Sequence, residues 1–108
     1  DLILTREAGT TLALCLHELT TNAIKYGALS VPAGRVSFRW ALDDDIISVQ
    51  WKESGGPPVK EPTRAGYGTR YLRSALTSLF TQPPIIEFQS AGLFCKVSGP
   101  APRLVSNS

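Results

Sequence analysis

Two short segments alternate apolar and polar side chains, RVSFRW throughout residues 35–40 and IISVQW at 46–51 from Ile47 onward. A period of two puts Val36, Phe38 and Trp40 on one face of a strand and Arg35, Ser37 and Arg39 on the other. It also sets Ile47, Val49 and Trp51 opposite Ser48 and Gln50. The five residues between them, ALDDD, have hairpin length and acidic turn formers, so the strands are expected to pair antiparallel. A lone hairpin with one apolar face is at best marginal in water. The rest of the chain must therefore supply a cover.

Two segments qualify. Over residues 6–26, Leu12, Leu16, Leu19 and Ala23 fall on one stripe at helical spacing, with Thr5 as a candidate N-cap and Gly27 as a stop. A short strand at 2–4 is expected before it. Over 69–80, Leu72, Ala75, Leu76 and Leu79 form a second inner face, and Gln82-Pro83-Pro84 ends that helix. IIEFQS and LFCKVS, flanking Ala91-Gly92, read as a second hairpin. Paired strands with interposed helices give an α+β two-layer sandwich, its sheet mixed but largely antiparallel and covered by helices on one face. The strand–GxGxxG–helix unit of a dinucleotide-binding wheel is missing.

At 108 residues there is room for one domain, expected over 1–99, with 100–108 as a flexible C-terminal tail. The opening DLIL, without an initiator Met, reads as a start inside a longer polypeptide. A hydrophobic content of 43% argues against wholesale disorder. No apolar run reaches the roughly 20 residues that cross a bilayer, so direct membrane insertion is not expected. A net charge of +2, with the basic residues scattered, gives no reason to expect a nucleic-acid partner. His17 is the single histidine, and Cys15 and Cys95 are isolated among apolar neighbours, so zinc and disulfide frameworks are not expected. Buried thiols in a reducing, cytoplasmic compartment fit better.

Three places carry possible chemistry. Glu18, Asn22 and Lys25 form a polar stripe on the first helix, opposite its apolar one. This is either a solvated face or a site, and Asn at mid-helix needs a reason. Carboxylate and amide oxygens suit Mg²⁺ or its waters, and a lysine suits phosphate. The second place is the Gly- and Pro-rich stretch 52–68, with Gly55-Gly56 after a strand and Gly66-Tyr67-Gly68 before a helix. Such glycines are either flexible turns or points where backbone approaches a ligand, and a helix N-terminus favours phosphate. The third, Asp43-Asp44-Asp45, reads as a solvated turn rather than a metal cluster.

HELTTNAIKYGALS, WKESGGPPV and GYGT, in that order, resemble the motifs of the ATP-binding catalytic domain of HWE-type sensor histidine kinases. That family belongs to the GHKL superfamily, which includes the gyrase and MutL ATPases. The resemblance covers about residues 4–99 and includes His17 in the asparagine box and the W-x-E of Trp51 and Glu53. It implies the Bergerat fold and ATP-dependent phosphorylation of a histidine. Asn22 would coordinate the Mg²⁺ that bridges the ATP phosphates. Glu18 would lie near the metal and the transferring phosphate, as base or water organiser. Lys25 and Tyr26 would approach the phosphates and ribose. Glu53 would accept a hydrogen bond from the adenine amino group, in a place where most GHKL proteins carry Asp. Gly55 matches the first glycine box, while Gly66 and Gly68 match the second, at the end of the ATP lid, with Thr69 opening the helix beneath the phosphates.

The sequence departs from the wider superfamily at Pro57, which replaces a glycine, and at FTQPPII after the second helix. The F box of conventional kinases is lacking, which implies a short lid. The resemblance places the phosphorylated histidine not at His17 but on a separate dimerisation domain. It further implies a response regulator as partner and a homodimeric full-length protein. The competing expectations are a degenerate GHKL-fold interaction module without kinase activity and, more remotely, an anti-sigma serine kinase or a GHL-type ATPase.

Overall fold

The computed structural model describes residues 4–57, 67–90 and 92–100. Helix α1 spans Arg6–Lys25. Thr5 caps it, its hydroxyl accepting from the Ala8 N–H at 3.1 Å, which satisfies one of the free donors of the first turn. The helix ends at Tyr26, whose N–H bonds the Asn22 carbonyl at 2.8 Å. Gly27 has φ −115°, so the stop is not the left-handed glycine cap that the sequence suggests. A 3-10 turn, Ala28–Ser30, leads into the sheet.

Strands β1 (Arg35–Asp43) and β2 (Ile46–Ser54) form the expected hairpin, with Asp44 at φ +56° in its turn. Helix α2 (Tyr67–Phe80) is followed by β3 (Ile85–Gln89) and β4 (Gly92–Pro100). The order across the sheet is β1-β2-β4-β3. Every ladder among the described residues is antiparallel, so the expected mixed character is not seen there. Register pairs Phe38 with Trp51, Trp51 with Cys95, and Cys95 with Ile86. These four side chains share one face, because directly opposed residues point the same way.

Both helices lie on that face. Ala8, Cys15, Leu19 and Ala23 of α1 and Leu72, Leu76, Leu79 and Phe80 of α2 join Ile47, Trp51, Leu93, Cys95 and Val97 in one core. Burying a leucine of this kind stabilises the fold by about 1.5–3 kcal/mol. Burial also pushes the Cys15 and Cys95 thiols up to about 11, from an ordinary 9.0. On the far face, Arg35, Arg39, Lys52 and Lys96 are exposed.

Three local details differ from the sequence reading. α2 begins two residues early, at Tyr67. It stops because Thr81 turns to φ +59°, ahead of the prolines. Gly92 pairs with Gln89, so it belongs to β4 rather than to the turn. The strand runs on through Pro100, and the remainder of the expected tail, 101–108, lies outside the described residues, as does most of the expected strand at 2–4. The helices also stop short of β1: Phe38 and Trp40 stay 44% and 54% exposed, beside an open apolar groove of about 530 Å³ lined by Leu4, Leu12, Leu16 and Val49.

Candidate functional site

Glu18 and Asn22 are half-buried on the C-terminal half of α1, and Lys25 and Tyr26 are exposed at its end. Spacings of four and three residues stack Glu18, Asn22 and Lys25 on consecutive turns. An Asn at such a position costs the helix roughly half a kcal/mol relative to Ala, and packing alone does not call for it. His17 is exposed on the same helix.

Glu53, at the end of β2, is 1% exposed. Its Oε1 accepts from the Ala28 N–H at 3.1 Å, and its Oε2 accepts from the Trp51 indole Nε1–H at 3.1 Å. Bonds to an ionisable carboxyl offset the desolvation that such burial brings. Ala28 lies two residues beyond Tyr26, so the carboxyl group ties the end of α1 to the end of β2. Trp51 is buried core, as its place in the alternation implies. Its role as a donor to Glu53 was missed, although the i, i+2 spacing that puts both on one strand face was legible.

Backbone closes in on the same point. Gly92, at φ +144°, lies against the Glu53 side chain so tightly that a Cβ there would collide with the Glu53 Cβ. Gly55, at φ +70°, passes close to Ala33, and a Cβ on it would stand 2.6 Å from the Ala33 carbonyl oxygen. Both need glycine for conformation and for space. The first glycine box is therefore held against the loop that follows α1.

Gly68 is in the first turn of α2 rather than in a loop, and Thr69 follows it, half-buried. α1 packs on α2. Gly66, with the rest of 58–66 in the Gly- and Pro-rich stretch expected at 52–68, lies outside the described residues. Asp43, Asp44 and Asp45 are exposed at the hairpin tip. Among the described residues, no group of three His, Cys, Asp or Glu side chains could hold a metal. The apolar groove beside β1 lies along the opposite half of α1 and offers a triphosphate nothing.

The helix that bears Asn22 and the buried carboxyl group of Glu53 thus meet on a two-layer sandwich of helices and antiparallel sheet. The chain is 45% identical over 95 residues to blue-light-activated histidine kinase 1 of Erythrobacter litoralis, covering 84% of this chain and 26% of that protein. It is 40% identical over 93 residues to the blue-light-activated histidine kinase of Brucella ovis, covering 82% and 19%. The chain accordingly spans about a quarter or less of these relatives. The solved histidine kinase domain of an Erythrobacter litoralis blue-light-activated histidine kinase superposes with a TM-score of 0.72 at 19% identity. That likeness, over 90% of this chain and 46% of the other, concerns the fold. No family model matches the chain. With relatives of 45% and 40% identity over most of its length, the chain belongs to the HWE histidine kinases.

Proposed function

We propose that this chain is the ATP-binding catalytic domain of a two-component sensor histidine kinase. In the full-length protein it transfers the γ-phosphate of ATP to a histidine on a separate dimerisation domain. The observation that carries this reading is the Glu53–Ala28 bond, which fixes the adenine-recognising carboxyl group at the end of the helix that bears Asn22.

The donor set fits Mg²⁺. This is a hard cation that keeps several waters and takes one or two protein oxygens together with substrate phosphates, so a three-carboxylate cage is not required. Asn22 supplies the amide oxygen, with Glu18 one turn away. Bound there, Mg²⁺ would neutralise charge on the phosphates. The chain's own residues do the rest. Glu53 accepts from the adenine amino group, Lys25 and Tyr26 approach the phosphates and ribose, and Gly55 lets backbone come close, a part the resemblance also gives Gly66 and Gly68. Thr69, in the first turn of α2, lies beneath the phosphates. Phosphoryl transfer asks chiefly for positioning and charge neutralisation. The attacking imidazole comes from outside this chain. A homodimeric, cytoplasmic full-length protein that hands its phosphoryl group to a response regulator completes the reading.

Calorimetric titration with a non-hydrolysable ATP analogue should give Mg²⁺-dependent binding, and γ-labelled ATP should leave the isolated chain unlabelled. Robust self-labelling would contradict the assignment of the acceptor. Absence of any Mg²⁺-dependent binding would favour the degenerate interaction module instead.

A further inference from the structure

We infer that Trp51 is a positioning residue for nucleotide recognition, and that its indole N–H is the reason the carboxyl group at residue 53 sits on a Glu rather than an Asp. The inference rests on the proposal that Glu53 reads adenine. Residues i and i+2 of a strand share a face but stand about 6.6 Å apart along it, too far for direct contact through short side chains. The Trp51 ring and the Glu53 stem close that gap, and Nε1 reaches Oε2 at 3.1 Å. At the other oxygen, the Ala28 N–H holds Oε1 at 3.1 Å. Two donors from different segments thus fix the plane of the carboxyl group, since each oxygen is aimed at its own N–H.

An Asp at this position would be one methylene short of that reach. The extra length of Glu53 is therefore used by the fold rather than absorbed by a shift of the loop. Gly92 packs against the Glu53 stem, leaving it little freedom to take another path. A carboxyl group held in this way presents acceptor oxygens in one orientation. It thereby favours a purine with a donor at its 6 position over one with an acceptor there.

The test compares ATP with inosine triphosphate, which carries an oxygen in place of the amino group, by calorimetry on wild type, Trp51→Phe, Glu53→Asp and the double variant. A further variant bearing benzothienylalanine at position 51 keeps the shape of the ring and removes only the N–H. Both single changes at Trp51 should weaken ATP about tenfold while leaving inosine triphosphate within about twofold, because one hydrogen bond is lost from positioning and none from phosphate binding. Glu53→Asp should also weaken ATP, and adding Trp51→Phe to it should cost little more. Wild-type discrimination in the benzothienylalanine variant would overturn the inference, as would equal losses for both nucleotides or fully additive effects. Failure of the wild type to bind ATP is a separate outcome that overturns the functional reading itself.

Discussion

Replacing Asn22 with alanine is expected to remove Mg²⁺-dependent ATP affinity while leaving the fold as stable as before, or slightly more so. The two effects have separate origins. Asn22 is half-buried on an otherwise regular helix, and alanine is the better helix former by roughly half a kcal/mol. If its amide oxygen holds the cation, however, nothing else on that turn replaces it. Even outer-shell partners of a metal site cost about 10–100-fold when removed, so losing a direct ligand should weaken binding by roughly 100-fold or more. Thermal unfolding and calorimetry on the same preparation separate the two. A residue retained at the expense of stability is what a functional position looks like. A solvated polar face would show the opposite pattern, with affinity unchanged.

Glu53→Gln is expected to act in the reverse proportion, with a large loss of stability. Both oxygens of Glu53 face N–H donors, one from Ala28 and one from Trp51. A glutamine has one acceptor oxygen and an NH₂ group, so it must present a donor to one of those donors. The site is buried, and one unsatisfied group there costs about 1–3 kcal/mol. At roughly 4–8 °C per kcal/mol for a domain near this size, the melting temperature should fall by about 5–20 °C. Adenine recognition should suffer as well. A variant that melts within a degree or two of the wild type would mean that these bonds contribute little to the fold.

How much of this was legible in the sequence depends on the range of the interaction involved. Strict alternation identified the faces of β1 and β2, because register follows from a period of two and a short turn. Thr5 announced the start of α1 through a bond to Ala8, three residues away. The pairing of Glu53 with Ala28 spans 25 residues and uses a backbone donor, which no side-chain pattern encodes. Gly92 looked like a turn glycine because its actual constraint, the Glu53 stem beside it, comes from another strand. Alternation also placed Phe38 and Trp40 on the inner face without revealing that α1 and α2 fail to reach them, since coverage depends on where helices dock rather than on the strand itself. The end of α2 was assigned to the prolines, whereas Thr81 supplies the break one residue earlier than Gln82.

The central claim is that a divalent cation and a nucleotide meet at Asn22. Paramagnetic Mn²⁺, added with a non-hydrolysable ATP analogue to isotope-labelled chain, tests it most directly, because relaxation broadening falls off steeply with distance from the ion. The side-chain amide of Asn22 and the backbone amides of the last two turns of α1 should broaden first, and only when nucleotide is present. Broadening centred on Asp43, Asp44 and Asp45, or at Asn22 without nucleotide, would contradict the account.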